Sequence, residues 1–132
     1  MNIKEVSQHS GLSAKTIRYY EAQGIITPPA RSANNYREYA ENHINELIII
    51  KRAKMVGFSL AEASELLVLS SDPKRCSAAV KAKTELKIAE IDAQIAELNA
   101  MRHTLNALST QCPGDNKPDC PILEALQSDN GL

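Results

Sequence analysis

The sequence lacks tryptophan and has a single phenylalanine among its 132 residues, which argues against a large core of aromatic side chains. Its apolar content of 43% is ordinary, so the composition favours helix packed on helix and predicts a mainly α protein. It also lacks an apolar run long enough to cross a membrane, and its N-terminal stretch does not resemble a signal peptide. We therefore expect a cytoplasmic protein without a membrane partner.

Cysteine is scarce as well, with only Cys76, Cys112 and Cys120 in the chain. An odd count of three in a reducing compartment argues against a disulfide framework and leaves metal binding or redox chemistry. The sequence also shows no Ser, His and Asp set, no paired catalytic carboxylates and no glycine-rich phosphate loop, and its three histidines are scattered. We therefore expect a protein that is not an enzyme.

The net charge of −1 hides a difference between the two parts of the chain. Residues 1–58 carry eight Lys and Arg against five acids, giving +3, whereas the remainder carries seven against eleven, giving −4. The basic part is the candidate partner for phosphate. Because the excess is small, the placement of the cations has to decide between a nucleic-acid surface and an ordinary solvated one.

Two short helices are predicted within the first 24 residues. Asn2 and Glu5 have the spacing of a capping box, and the helix that follows them stops at Ser10-Gly11. Ser13 is an N-cap residue type before a second helix over 14–23, which ends at Gly24. The spacing is typical of a helix-turn-helix, although a plain helical hairpin has the same pattern.

Cations and a phenol lie on this unit and in the segment after it, at positions suited to DNA. Lys15 and Arg18 lie three residues apart on the exposed face of the second helix, near its start, where a major-groove helix carries its donors. Residues 31–39 place turn-forming asparagines between short extended arms, which predicts a small β-wing. The wing carries Arg31, Tyr36 and Arg37. This combination suits contacts with the DNA backbone, and a merely polar hairpin is the alternative.

Two segments of this region resemble the mercury-resistance-regulator (MerR) family. They are Ile17-Arg18-Tyr19-Tyr20-Glu21 with Gly24, and Arg31 followed by Tyr36-Arg37-Glu38-Tyr39. The resemblance implies a winged helix-turn-helix domain that binds an imperfect palindrome as a homodimer, at promoters with unusually long spacers. It also implies DNA contacts for Lys15, Arg18, Tyr19, Arg31, Tyr36 and Arg37.

Three further helices are predicted after the wing. The first spans 40–56, with Ile44, Leu47, Ile48 and Met55 facing the core. The second opens with a capping box at Ser59 and ends near Ser70-Ser71. The third is predicted to start at Asp72-Pro73, an N-cap type followed by a proline at the first helical position, and no breaker occurs before Pro113. We predict a DNA-binding domain over 1–71, a dimerisation helix over 72–110 and a metal-binding loop with a tail over 111–132.

The third of these helices has an apolar seam with heptad spacing. The seam consists of Ile88, Ile91, Ile95, Leu98, Arg102 and Leu105, and Arg102 is its one charged member. A helix of roughly 35 residues spans about 50 Å, and one small domain cannot bury a stripe of that length. The pattern therefore predicts a homodimer, and the family resemblance implies an antiparallel pair.

Cys112 and Cys120 flank a seven-residue loop that contains two prolines and a glycine. Thiolates select soft ions, and two of them satisfy a linear monovalent ion, whereas structural zinc requires about four ligands. An iron–sulfur cluster would also require four cysteines. The pair therefore predicts a soft, linear monovalent ion, and Cu(I), Ag(I) and Au(I) share that charge and preferred geometry. A reversible disulfide between the two thiols is a less favoured alternative.

The loop also resembles the copper-sensing branch of the family through Cys112-Pro113-Gly114-Asp115 and Asp119-Cys120-Pro121-Ile122. In that branch a serine replaces the cysteine that divalent-metal sensors carry near the start of the dimerisation helix, and Ser77 matches this serine. The resemblance implies a Cu(I)-responsive activator of copper-efflux or detoxification promoters that distorts promoter DNA so that RNA polymerase can engage it.

Two neighbours of Ser77 bear on the predicted copper site. Lys81 lies one turn later and is our hypothesis for a cation that balances the anionic metal site. Cys76 adjoins Ser77, and on a helix it would face elsewhere because one residue turns the helix by about 100°. If Cys76 is instead a third ligand, the site would favour Zn(II), Cd(II) or trigonal copper, and the inducer would change. Two alternatives remain, a metal-storage or chaperone protein without DNA binding and a small-molecule-sensing regulator. Only 24 residues follow Leu108, which are too few to enclose a drug-sized molecule.

Overall fold

The computed structural model describes residues 1–128, which form six helices and one two-stranded antiparallel sheet. The elements are α1 Ile3–Ser10, α2 Ala14–Ala22, β1 Ala30–Arg31, β2 Arg37–Glu38, α3 Glu41–Met55, α4 Leu60–Ser70, α5 Ser77–Gln111 and α6 Pro121–Gln127. The prediction of a mainly α fold with a helix-turn-helix and a wing is confirmed. Residues 129–132 of the predicted tail lie outside the described residues. No helix within residues 1–128 combines the length and the apolar character needed to cross a membrane.

The chain divides into two compact units, Met1–Lys87 and Ile88–Leu132. In the first unit, the predicted helix caps are present. The Asn2 Oδ1 accepts from the Glu5 N–H at 2.9 Å, and the Glu5 carboxylate accepts from the Asn2 N–H at 3.1 Å. The Ser13 hydroxyl accepts from the Thr16 N–H at 3.1 Å. Each of α1 and α2, which together form the helix-turn-helix that we call the DNA reader, thus satisfies one of its free backbone N–H groups with a nearby side chain.

The core of the first unit is aliphatic, as the lack of aromatic residues predicts. Val6, Ile17, Leu47 and Ile50 are fully buried, and α4 adds Ala63 and Leu67. The expectation that Met55 faces this core is wrong, because its side chain is 74% exposed. The buried face of α3 consists of His43, Leu47, Ile50 and Ala53, so the predicted helical period is correct but the buried stripe is displaced around the helix.

The wing is a hairpin in which Ala30 pairs with Glu38 and Arg31 pairs with Arg37. Its turn is closed by the Ser32 N–H, which donates to the Tyr36 carbonyl at 2.8 Å. Asn35 adopts a φ of 63°, a left-handed conformation that asparagine tolerates better than most residues. The two asparagines in the sequence therefore predicted the position of the turn, and the left-handed conformation of Asn35 explains why an asparagine suits it.

The long helix begins at Ser77 rather than at Asp72-Pro73, so its predicted start is wrong. The Asp72 carboxylate accepts from the Lys74 N–H at 2.8 Å, and the Asp72 carbonyl accepts from the Arg75 N–H at 3.1 Å. These bonds close a turn in which proline supplies its fixed φ, and the Arg75 guanidinium donates to the Ser70 carbonyl at 3.0 Å. Asp-Pro is a signature of turns as well as of helix starts, and here the turn is what forms.

The second unit contains most of α5, the cysteine loop and α6. Leu108 is the buried side chain of α5, whereas Ile88, Ile95, Leu98 and Leu105 of the predicted seam are exposed. The helix is a single element of 35 residues, about 50 Å long. The predicted seam thus presents a row of apolar side chains that the described part of this chain does not cover.

Candidate DNA-binding surface and metal-binding loop

Helix α2 has a buried face and a polar face. The packing of the buried face determines which side chains are exposed and able to contact DNA. Ile17 and Tyr20 are buried, which fixes the rotation of α2 against the core. The same rotation leaves Lys15, Arg18 and Tyr19 exposed. Three of the six predicted DNA-contact residues are therefore presented to solvent on one short helix.

The other three predicted residues lie on the wing. A surface depression of about 540 Å³ lies between the wing and α2. It is lined by Asn2, Ile3, Arg18, Arg31, Asn35, Tyr36 and Arg37. Four of the predicted residues, Arg18, Arg31, Tyr36 and Arg37, thus converge on one concave surface. The depression carries three guanidinium groups and a largely exposed phenol, a combination of donors suited to phosphate oxygens.

Glu21 at the end of α2 ties the wing to this helix, a role that the sequence did not reveal. Its carboxylate accepts from the Arg37 Nε at 2.7 Å and lies 3.9 Å from the Arg31 Nη2. The Glu21 side chain is only 15% exposed, so the pairs are partly shielded from solvent. Burial raises the pKa of the nearby Tyr39 phenol, and the charge of Glu21 raises it further.

Both cysteines of the predicted metal site lie at helix ends. Cys112 directly follows α5 and donates its N–H to the Ser109 carbonyl at 3.2 Å, whereas Cys120 is the residue before α6 and accepts from the Glu124 N–H at 3.1 Å. Between them, Gly114 has a φ of 64° and the Asp115 carboxylate accepts from the Lys117 N–H at 2.9 Å. Both thiols are free and half-buried.

Cys76, Ser77 and Lys81 share a surface depression of about 410 Å³ with Arg75 and Val80. The expectation that Cys76 faces away from Ser77 assumed that both residues are helical. Because α5 begins at Ser77, the rotation of 100° per residue does not apply to Cys76, and the structure brings the two side chains to the same depression. Lys81 is exposed, and its ammonium lies 3.9 Å from the Glu85 carboxylate.

A larger set of metal ligands is not assembled within residues 1–128, where His, Cys, Asp and Glu side chains form no group of three that could hold a metal ion. The thiols of Cys112 and Cys120, which are both free, therefore remain the candidate donors, as a set of two. Such a set suits a soft ion of low coordination number and does not suit a structural zinc site.

Comparison with known proteins agrees with the fold. Residues 1–68 match the family model described as MerR HTH family regulatory protein, and residues 44–108 match the model described as MerR, DNA binding. The HTH-type transcriptional regulator CueR of Escherichia coli O6:H1 is 51% identical, over 96% of this chain and 93% of its own. The HTH-type transcriptional regulator HmrR of Sinorhizobium medicae is 45% identical, over 99% and 89%.

Among solved structures, the transcription regulator PbrR691 from Ralstonia metallidurans in complex with lead(II) superposes with a TM-score of 0.86. It is 32% identical, and the match covers 96% of this chain and 98% of that one. These relatives are transcriptional regulators rather than enzymes, in agreement with the exposed basic reader and wing. The chain belongs to the MerR family of DNA-binding, helix-turn-helix transcriptional regulators.

Proposed function

We propose that the chain is a homodimeric transcriptional regulator that responds to Cu(I), and also to Ag(I) and Au(I). The observation that carries the proposal is the pair of half-buried thiols, Cys112 and Cys120, at the two ends of a short constrained loop. Two thiolates complete the coordination of a linear monovalent ion without a third ligand. The similarity to the regulators named CueR and the lead(II) complex of PbrR691 support a metal-responsive regulator.

The donor set fits the ion chemically. In the proposed site Cys112 and Cys120 would hold the ion as thiolates, and the two metal–sulfur bonds would join the two ends of the loop. The loop thereby loses conformational freedom, and it becomes able to pack against α5 of the second subunit in a defined arrangement. Two thiolates and Cu(I) carry a charge of −1, so a nearby cation lowers the cost of shielding the site from water.

On the DNA side, we propose that Lys15, Arg18 and Tyr19 of α2 and Arg31, Tyr36 and Arg37 of the wing contact promoter DNA. A homodimer presents two such surfaces to a palindromic operator. Metal binding would then shift both readers together, distort the promoter and allow RNA polymerase to engage it, which activates copper-efflux or detoxification genes. Promoter DNA as the target implies a cytoplasmic location.

X-ray absorption on the anaerobically copper-loaded protein tests the metal site. We expect two short Cu–S bonds in a linear arrangement, because only two thiols flank the loop. Three longer Cu–S bonds would contradict the two-thiol site and bring Cys76 into it. Absence of sulfur around the metal would overturn the proposal as a whole.

The second candidate is a regulator that responds to Zn(II) or Cd(II), with Cys76 as a third thiolate. The observation that favours it is the depression that Cys76 shares with Ser77. Tighter binding of Zn(II) than of Cu(I) at matched free-metal concentration, lost in Cys76→Ser, would support this candidate over the copper proposal.

Lys81→Gln is expected to weaken Cu(I) affinity roughly threefold to fivefold, the loss typical of a charge pair at an exposed site. The Lys81 ammonium borders the depression that contains Ser77, so its removal leaves the anionic site less well balanced. Competition with a copper(I) chelator measures the change, and Lys74→Gln in the exposed turn before α5 is the control. Unchanged affinity in Lys81→Gln would exclude a role for this lysine.

Glu21→Gln is expected to lower the preference for operator over random DNA about fivefold to tenfold, in line with the loss of a charge-assisted hydrogen bond. Without the carboxylate, the Arg37 guanidinium no longer has a charged partner at 2.7 Å, and the wing is held less firmly to α2. Titrations of both duplexes at several salt concentrations measure the effect.

Glu38→Gln is the matched control, since Glu38 is exposed on the same wing and the change of charge is identical. If both variants lose the same preference, general electrostatics rather than wing positioning explains the result.

A further inference from the structure

Two lysines of α5 hold its first turns against α4. The Lys83 ammonium lies 2.7 Å from the Glu65 carboxylate, and the Lys87 ammonium lies 2.9 Å from the Glu62 carboxylate. The partners are 18 and 25 residues apart in the chain, so these pairs join two different helices. We refer to Glu62, Glu65, Lys83 and Lys87 together as the α4–α5 clamp.

Lys87 is the more enclosed member of the clamp, since its side chain is only 13% exposed. Its ammonium also lies 5.6 Å from the centre of the Phe58 ring, a cation–π contact with the one phenylalanine in the chain. Its partner Glu62 closes the capping box of α4 with Ser59. The hydrogen bond from the Ser59 N–H, together with Lys87, lowers the pKa of Glu62 to about 2, so this carboxylate is charged at any physiological pH.

The first turns of α5 lack a fully buried side chain. Ala79 and Val80 are half-buried there, and Leu108 is the first buried residue of the helix. The covalent link from α4 to α5 is the segment over residues 71–76, which interrupts the helical backbone between the two helices. The ion pairs of the half-buried Lys83 and Lys87 are therefore specific, directional contacts between this part of α5 and α4.

The clamp lies on the part of α5 that belongs to the same compact unit as the DNA reader. Lys83 and Lys87 lie in the last turns of α5 that belong to the compact unit containing the DNA reader, which ends at Lys87. The same uninterrupted helix continues through the seam to Gln111, and Cys112 follows directly. A displacement of α5 that starts at the cysteine loop can therefore act on the reader unit where Lys83 and Lys87 grip α4.

We propose that the α4–α5 clamp couples α5 to the DNA reader, and that Lys87 is a positioning residue for metal-dependent activation. This inference rests on the proposed function, because it concerns how the metal signal reaches the DNA. The clamp includes none of the residues that we propose as metal ligands or DNA contacts. A variant that lacks the clamp should therefore still bind metal and DNA. It should lose the metal-induced distortion of the DNA.

Lys87→Met tests the coupling, since methionine retains an apolar stem over Phe58 and removes the charge. The assay uses the full-length protein with an end-labelled operator duplex, selected by the wild type from a random library, and follows the Cu(I)-induced change in energy transfer across the DNA. We expect the equilibrium for distortion to fall at least about fivefold, the lower end of usual coupling between sites. The copper affinity and the operator affinity of Lys87→Met should match those of the wild type. The control Lys74→Met should match the wild type in copper affinity, operator affinity and copper-induced distortion.

A charge exchange in the other pair separates coupling from general destabilisation. Lys83→Glu and Glu65→Lys each place like charges together and should reduce the copper-induced distortion, whereas the double variant restores the pair and should recover it. A full response in Lys87→Met and in both single variants, or no recovery in the double variant, would overturn the proposal.

Hydrogen exchange of residues 77–87 in the metal-free protein keeps this inference separate from the copper hypothesis. We expect faster exchange in the two single variants and protection in the double variant. If the wild type shows no response to Cu(I), the proposed function fails, and the exchange data alone still decide whether the clamp holds α5. Equal exchange in all variants would contradict the clamp itself.

Discussion

Replacement of either Cys112 or Cys120 by serine is expected to lower Cu(I) affinity by more than about 100-fold, beyond the range typical for loss of outer-shell partners of a metal. A serine hydroxyl is a hard donor that does not ionise near neutral pH, and each substitution removes half of a two-thiol donor set. No third ligand is grouped with these cysteines among residues 1–128 to compensate. The loss should therefore be similar for the two variants.

Anaerobic competition against a copper(I) chelator measures this loss, and Cys76→Ser is the matched control. Cys76 undergoes the same chemical change, but it lies before α5 and not on the loop. We expect Cys76→Ser to bind Cu(I) like the wild type, and both loop variants to retain their operator affinity without metal. Equal losses in all three variants would contradict the two-thiol site and favour a three-thiolate site.

Local signals in the sequence were the most reliable predictors of the fold. The capping boxes at Asn2 and Ser59 depend on residues three apart, and both are present in the structure. The turn of the wing was equally predictable, because Asn35 tolerates the left-handed conformation that the hairpin requires. Each of these features is decided by hydrogen bonds within a few residues, which a sequence displays directly.

Contacts between distant residues were not predictable in the same way. Glu21 and Arg37 are 16 residues apart, and Glu62 and Lys87 are 25 apart, so no spacing rule pairs them. The start of α5 shows a different limit, because Asp72-Pro73 carries the signal of a helix start and that of a turn. The Arg75 guanidinium, which donates to the Ser70 carbonyl, favours the turn through contacts outside the dipeptide.

Ile95→Glu is expected to convert the protein into a monomer and to abolish tight operator binding. The Ile95 and Leu98 side chains are 51% and 62% exposed in the single chain, in the middle of the apolar seam of α5. Burial of a large aliphatic side chain contributes about 1.5–3 kcal/mol, and a symmetric pair of helices buries each seam residue twice. A glutamate at this position would place two carboxylates in the interface and remove two isoleucines.

The combined cost is at least about 4 kcal/mol, which raises the dissociation constant of the dimer about a thousandfold. A monomer reads only one half of a palindromic operator, so binding should be lost at concentrations that saturate the wild type. Sedimentation equilibrium measures the mass, circular dichroism checks that the helices persist, and a labelled operator duplex measures DNA binding.

Ala93→Glu is the control, because Ala93 lies on α5 two residues before Ile95 and outside the predicted seam. This variant introduces the same charge and should remain a dimer with wild-type operator affinity. If Ile95→Glu is folded and still dimeric, the seam is not the interface. The proposed transmission of the metal signal from one subunit to the other would then lose its basis, since that transmission requires α5 of one subunit to lie against the loop of its partner.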